Sequence, residues 1–192
     1  MLNKNFWEKK YQQNETGWNI GKVSSPLKNY FDKLKDKSCK ILIPGCGYGH
    51  EAKYLLDLGF ENVSVIDLSP TAIKTLHKNA PNFNKKNLHI SDFFEHKKKY
   101  DLIIEQTFFC AIDPMLRNKY VNHCHQILNK EGKITGLLFN KDFGNDHPPF
   151  GGSKEEYLNL FQKKFMINTL KIAEDSIESR KGTELFFEFQ KF

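Results

Sequence analysis

Cysteine is scarce and unpatterned in this 192-residue chain: Cys39, Cys46, Cys110 and Cys124 form no CxxC pair and no framework spacing. Reduced thiols are therefore expected, rather than a disulfide scaffold or a thiolate metal site, which points to a cytoplasmic protein. Long apolar runs are missing as well. The longest are strand-length, far short of the roughly 20 residues that span a bilayer, so no membrane insertion is expected. The opening residues, Met1 to Glu8, lack the apolar core of about 7–15 residues that marks a secretion signal. Basic side chains outnumber acidic ones, 29 to 23, for a net charge of +6. The lysines are nevertheless scattered, and the one run, Lys97-Lys98-Lys99, falls in a short connection before a strand. Without a clustered basic face, nucleic acid is not an expected partner. No internal repeat or low-complexity linker is visible, and the length suits a single domain over 1–192 that buries a core without staples.

Strand and helix patterns alternate. After an aromatic and polar arm containing Phe6, Trp7, Tyr11 and Trp18, a helix is expected at about 26–36. A strand at 40–44, a helix at 49–59, a strand at 62–67 and a helix at 70–78 follow. Ser69-Pro70 starts the last of these, serine as cap and proline in the first turn. Leu88 to Ile90 reads as a short strand. Tyr100 to Glu105 is an apolar run with polar ends, expected for a buried parallel strand. A helix from Asn118 to Leu128 is closed by Asn129-Lys130-Glu131-Gly132, and a strand from Lys133 to Asn140 follows. A helix at about 153–163 precedes two closing strands, Met166–Ile172 and Glu184–Phe189. The alternation predicts an α/β, Rossmann-like fold: a mostly parallel sheet with helices on both faces and an antiparallel C-terminal edge.

The most informative stretch is Ile41-Leu42-Ile43-Pro44-Gly45-Cys46-Gly47-Tyr48-Gly49-His50, a strand, a glycine-rich turn and the start of a helix. Glycines suit such a turn because side chains would block a ligand from the backbone and because φ > 0 is often required. The second strand ends at Asp67, at a spacing from Gly45 close to the roughly 20 residues expected of an acidic residue that grips a ribose. A nucleoside-bearing cofactor is therefore expected. The glycine turn alone does not choose among cofactors. It reads GxGxG rather than the usual GxGxxG of nicotinamide-dependent oxidoreductases, which stay open as an alternative, as does a non-catalytic nucleoside- or nucleic-acid-binding module.

Ser91-Asp92-Phe93-Phe94 after the third strand, followed by Tyr100-Asp101-Leu102-Ile103-Ile104, resembles class I methyltransferases. In those enzymes an Asp here faces the adenine amino group and an adjacent apolar residue packs on the ring. A narrower resemblance covers nearly the whole chain in order. Trp7-Glu8-Lys9-Lys10-Tyr11, Gly17-Trp18-Asn19-Ile20-Gly21, Pro44-Gly45-Cys46-Gly47, Phe108-Phe109-Cys110-Ala111-Ile112-Asp113-Pro114 with Arg117, Pro148-Pro149-Phe150, and Ser179-Arg180-Lys181-Gly182 resemble the thiopurine S-methyltransferase family, closest to its thiol and halide branch. The resemblance implies the class I methyltransferase fold with a seven-stranded sheet. It also implies S-adenosyl-L-methionine as cofactor, S-adenosyl-L-homocysteine as product, and a small soft nucleophile as methyl acceptor.

Carried over position by position, it implies that Trp7, Tyr11 and Trp18 cover the cofactor within an arm with helices over residues 1–36. Gly45, Cys46 and Gly47 lie against its amino-acid part, Asp67 and Leu68 at the ribose, Asp92 and Phe93 at the adenine, and Gln106 near the methionine portion. Tyr11 stands where that branch usually has Trp, and Gln106 where it often has Tyr, both at the pocket. Arg117, Arg180 and Phe109 are candidate substrate contacts, although each has an ordinary structural reading as a surface arginine or core phenylalanine. Trp7 and Trp18 equally suit anchors of an N-terminal arm. Methyl transfer from a sulfonium is an in-line displacement that needs alignment more than a base, and no triad is visible. His123-Cys124-His125 would not converge on a helix, where neighbours at i and i+2 diverge, so no metal is expected. Cys46 and Cys110 read as small packing residues, since no base stands beside them. No heptads or long exposed apolar stretch demand assembly, and a monomer is expected.

Overall fold

The computed structural model describes residues 2–192. The chain forms two compact units, the first ending at His96 and the second beginning at Lys97.

In the N-terminal unit, β1 (Ile41–Pro44), β2 (Val63–Asp67) and β3 (Leu88–Ile90) are parallel and ordered β3-β2-β1. Every residue of β1 and β2 is buried, as expected of parallel strands covered on both faces. Helices α3 (His50–Asp57) and α4 (Pro70–Asn79) pack against β2 and bury Ala52, Leu55, Ala72, Ile73 and Leu76. Ser69 caps α4 by accepting from the Ala72 N–H at 3.1 Å, with Pro70 in the first turn. α2 is Ser25–Phe31, shorter than the pattern suggested. Within the aromatic arm Lys4–Gln12 forms α1, capped by the Asn3 side chain, which accepts from Phe6 N at 3.1 Å.

The C-terminal unit carries β4 (Tyr100–Gln106), β5 (Leu128–Phe139), β6 (Phe165–Ile172) and β7 (Glu184–Lys191) in the order β4-β5-β7-β6. The β4–β5 pair is parallel; β7 runs antiparallel between β5 and β6, which makes the expected antiparallel edge. Its helices are α5 (Arg117–Ile127) and α6 (Lys154–Phe161), the latter capped by Ser153 with Glu155 and Glu156 in its first turn. One boundary differs from expectation. Asn129–Gly132 does not separate α5 from the next strand but forms an irregular start of β5. Tyr100 pairs with Leu128 while Leu102 pairs with Lys133, and Glu131 takes φ 60°. Gly132 permits this, because a Cβ there would sit 2.9 Å from the Asn129 carbonyl oxygen and 3.2 Å from that of Asp101.

The core of this unit is aromatic. Phe161, Phe187 and Phe189 are fully buried, with centroids 4.7 Å apart for Phe187–Phe189 and 4.9 Å for Phe161–Phe189. Gly136 sets the closeness of β4 and β5, since a Cβ there would collide with the Glu105 backbone carbonyl. Gly136→Ala is expected to lower stability by about 2 kcal/mol or more, as overpacked cores do. Gly17→Ala, where nothing lies within 4 Å, is expected to leave the thermal midpoint nearly unchanged. Thermal denaturation of both variants checks this.

Candidate cofactor and acceptor sites

In the N-terminal unit, the backbone after β1 turns through Gly45, Gly47 and Gly49, all with positive φ. The Gly45 N–H still donates to Ile66 O at 2.8 Å, which ties the turn to β2. Two of these glycines have no substitute. A side chain at Gly49 would run into Leu76, and a Cβ at Gly47 would come 3.3 Å from the Tyr11 hydroxyl.

Asp67, the last residue of β2, is almost wholly buried. Its Oδ2 accepts from Gly47 N at 3.2 Å and its Oδ1 from Ser69 N at 2.9 Å. Burial pushes its carboxyl up to about 6, while the N–H groups of Ser69, Gly47 and Leu68 oppose that rise and the charge of Glu8 adds to it. Leu68 is half-buried beside it. Ser91 N donates to Asp67 O at 3.1 Å, so the turn after β3 lies beside the end of β2. There Asp92 accepts from Phe94 N at 2.8 Å, and the buried Phe93 ring stands edge-on to Phe94 with a centroid separation of 5.5 Å.

The arm reaches the same place. Trp18 stands edge-on to Trp7 at 5.7 Å and to Tyr11 at 5.6 Å, and its side chain hydrogen-bonds the Tyr11 hydroxyl. The Tyr11 phenol is pushed up by burial and by the neighbouring Asp67. Tyr48 of the glycine turn meets Thr16 Oγ1 at 3.1 Å, and His50 Nε2 meets Asn19 Oδ1 at 2.9 Å. Glu8 on α1 reaches Ser69 and Thr71 at the start of α4. Trp7, Tyr11, Trp18, Gly45, Cys46, Gly47, Asp67, Leu68, Asp92 and Phe93 thus all fall within this unit around the ends of β1, β2 and β3. The Tyr48, Asn19–His50 and Glu8 contacts were not foreseen. Their partners lie roughly 30 to 60 positions away in the chain, and no local spacing announces them.

In the C-terminal unit, Gln106 ends β4 with its Oε1 buried and without a hydrogen-bond partner. Thr107 follows at φ 59°, a left-handed conformation costly for a β-branched residue. Glu105 holds that bend. Fully buried, it accepts from Phe108 N at 2.7 Å and Phe109 N at 2.9 Å through Oε1, and from the Tyr120 hydroxyl at 2.6 Å through Oε2. Burial pushes its carboxyl up to about 7. Cys110 donates its thiol to Thr107 O at 3.3 Å and is pushed up to about 12, chiefly by burial. Burial also pushes the Cys46 thiol well up, so both cysteines stay protonated and serve as packing.

Phe109 is buried between Tyr120 and Tyr157. Arg117, itself buried, lies over its ring at 4.9 Å and donates to Glu156 at 2.5 Å and to Gly151 O at 2.6 Å. Arg180 donates to the buried Glu184 at 3.2 Å and lies over Phe139 at 5.7 Å. Both arginines are therefore balanced by a carboxylate rather than solvated. His123 and Cys124 are buried on α5, and His125 stands edge-on to Phe165 at 5.7 Å. Among the described residues no group of three or more His, Cys, Asp or Glu could hold a metal.

The groups of the N-terminal unit fit an adenosyl amino acid. They offer a carboxylate with lone pairs left for hydroxyls, a glycine-rich turn in which Gly45 is partly exposed, and aromatic faces beside it. In the C-terminal unit, Gln106 holds a buried acceptor that no protein donor uses.

The buried Glu105 gives a pH signature. Its folded pKa of about 7 exceeds the unfolded carboxylate value, so the folded state holds the proton more tightly and stability falls as pH rises from about 4.5 to 7. In Glu105→Gln the amide oxygen keeps both backbone N–H groups and the amide nitrogen can donate to Tyr120. Relative to the parent, E105Q is expected to gain about 3 kcal/mol between pH 4.5 and 8. Chemical denaturation at several pH values reads the difference.

The thiopurine S-methyltransferase family model matches residues 2–190. The chain is similar to "Probable thiol methyltransferase 2" of Arabidopsis thaliana, 28% identical over 191 residues covering 96% of this chain and 84% of that protein. It is also similar to thiocyanate methyltransferase 1 of Brassica oleracea, 24% identical over 191 residues, with the same coverage. Among solved structures, 1,6-didemethyltoxoflavin-N1-methyltransferase of Burkholderia thailandensis, crystallised with S-adenosylhomocysteine, superposes with a TM-score of 0.76 at 15% identity over 98% of this chain and 86% of that one. The fold is the class I methyltransferase fold, and the chain belongs to the thiopurine S-methyltransferase family, as an enzyme that uses S-adenosyl-L-methionine.

Proposed function

We propose that this enzyme methylates a small soft nucleophile: a thiol, hydrosulfide, thiocyanate, a halide, a thiopurine-like thiol, or a selenium or tellurium species. It does so as a single-domain monomer in the cytoplasm. The observation that carries the cofactor half of this reading is the Gly47–Asp67–Tyr11 arrangement, a glycine-rich turn held by a buried carboxylate under an aromatic cluster. The acceptor half is supported by similarity to proteins named as thiol and thiocyanate methyltransferases. The cytoplasmic reading is supported by four free cysteines, three of them buried.

When bound, S-adenosylmethionine supplies a methyl group on a positively charged sulfur that leaves as a neutral thioether. The chain's own residues then have to bind, orient and exclude water. Asp67 accepts hydroxyl donors of the ribose with the lone pairs its two backbone partners leave free. Asp92 and Phe93 hold the adenine, and Gly45 to Gly47 and Leu68 give close approach. Trp7, Tyr11 and Trp18 present ring faces to a sulfonium, an attraction of about 0.5–2 kcal/mol. Arg117, Arg180 and Phe109 contribute to the acceptor end. Because each arginine is already paired with a glutamate, recognition there rests on shape and ring faces more than on an unbalanced positive charge. A soft nucleophile arrives as an anion or loses its proton to solvent, so no general base is required.

Calorimetry is expected to show binding of S-adenosylmethionine and S-adenosylhomocysteine, with affinity lost by roughly 100-fold or more in Asp67→Ala, which removes charged hydrogen bonds to the ligand. Affinity is also expected to fall as pH drops through about 6, where Asp67 takes up a proton. A methyl-transfer panel of thiols, thiopurines, hydrosulfide, thiocyanate, halides, and selenium and tellurium species, with headspace detection of volatile products, identifies the acceptor. No transfer to any of them would overturn the soft-nucleophile reading.

A further inference from the structure

Helix α4 begins without an acidic residue of its own in its first turn. The missing negative charge comes from another helix. Glu8 of α1 accepts through Oε2 from the Ser69 hydroxyl at 2.6 Å and from Thr71 N at 3.2 Å. Through Oε1 it accepts from the Thr71 hydroxyl at 2.6 Å and from Gln12 at 3.1 Å. A carboxylate at a helix start, engaged by several donors, is a strong and directional contact. Ser69 serves both sides of it. Its backbone N–H holds Asp67 and its hydroxyl holds Glu8, while its Oγ also accepts from Ala72 N.

Glu8 sits on α1 between Trp7 and Tyr11, the two rings that α1 brings to Trp18, and Tyr11 also lies against Gly47. The docking of α1 on α4 therefore fixes where those rings stand over the turn. Without the Glu8 contacts, α1 is held by the rings, the Lys10–Glu15 pair at the surface, and the links of the following segment through Thr16 and Asn19.

We propose that Glu8 is a positioning residue for the cofactor: its clamp on Ser69 and Thr71 holds the aromatic arm closed over the glycine turn and slows cofactor release. The proposal rests on the reading that the cofactor occupies that turn. Its energetic basis is a population argument. A ligand retained by a closed arm has an apparent dissociation constant raised by the inverse of the fraction of molecules whose arm is closed.

The chain supplies its own probe, because its two tryptophans, Trp7 and Trp18, both belong to the arm and their emission reports its state. Tryptophan fluorescence titration and stopped-flow dissociation of S-adenosylhomocysteine would be measured for the parent, Glu8→Ala, Thr71→Val, their double variant and Asp67→Ala, with circular dichroism melts as a folding control. Thr71→Val removes one clamp hydroxyl from the opposite helix and keeps the side-chain volume, so it tests the contact even if Glu8→Ala folds poorly. Glu8→Ala is expected to raise the dissociation constant and the KM for S-adenosylmethionine about tenfold, mostly through faster release, with kcat at saturation within about twofold. The double variant is expected to lose little beyond Glu8→Ala alone, since both changes cut one contact. Unchanged release in Glu8→Ala and Thr71→Val, with binding abolished in Asp67→Ala, overturns the Glu8 assignment and leaves the cofactor placement standing. Undiminished binding in Asp67→Ala removes that placement, and the Glu8 assignment falls with it.

Discussion

A carboxylate buried at the end of β2 is the constraint on which the N-terminal unit depends. An ionised group taken out of water is costly unless hydrogen bonds replace its hydration. Asp67 finds its donors in Gly47 and Ser69, one in the turn after β1 and the other at the start of α4. Satisfying one charge therefore locks two loops. The donor at Gly47 is presented from a backbone with positive φ, which explains why glycine is needed at that place. Burial raises the pKa of Asp67 more than its backbone hydrogen bonds lower it. Such a group has spare acceptor capacity for hydroxyl donors, so the same incomplete solvation that costs stability favours a polyhydroxyl ligand.

The C-terminal unit repeats this solution at the end of β4. Glu105 is buried, has a raised pKa, and commits its oxygens to two backbone N–H groups of the following loop and to Tyr120. Its effect is to hold Thr107 in a left-handed conformation and to leave Gln106 beside the bend with a free acceptor. Strain at Thr107 persists because the surrounding hydrogen bonds over-determine it. The two carboxylates differ in one respect. Asp67 keeps lone pairs available, whereas Glu105 is enclosed by its partners, which fits a ligand-facing role for the first and an organising role for the second.

Local chemistry made most of the fold legible. The apolar runs of β1, β2 and β4, the Ser69-Pro70 start of α4 and the period-2 character of the last two strands each depend on neighbours in sequence. The mostly parallel sheet with an antiparallel edge follows from their order, and the family resemblance carried the class I methyltransferase fold and the cofactor. One local reading went astray for a physical reason. Asn129–Gly132 has turn composition, but pairing with β4 draws it into β5 as an irregular segment. The arm holds Trp7 and Tyr11 at helical spacing behind an Asn3 cap, and α1 draws its stability from docking on α4 rather than from a wide apolar face. Glu8 and Glu105 were invisible for a related reason. Glu8 reads as a surface charge until Ser69 and Thr71 are brought to it. Glu105 reads as the polar end of a strand until Tyr120 closes over it.

Two of the basic charges that composition reported as a mild excess are committed inside the C-terminal unit. Arg117 is engaged by Glu156 and Gly151, and Arg180 by Glu184, which Ser176 also holds at 2.6 Å. Pairs of this kind, with at least one partner buried, contribute little net stability compared with apolar packing, and removal of the partner of a buried charge leaves a costly orphan. Their value lies in geometry. Arg117 joins α5, α6 and the loop containing Gly151 while lying over Phe109, and Arg180 joins the start of β7 to Phe139 in the same way. In the proposed reading, an acceptor meets rings framed by neutralised arginines, a surface suited to a polarisable sulfur. A strongly hydrated anion would gain no unbalanced charge there to offset its desolvation. Selection among soft nucleophiles then follows from desolvation cost and ring contact, the two properties on which sulfur and its heavier analogues differ most from oxygen and nitrogen.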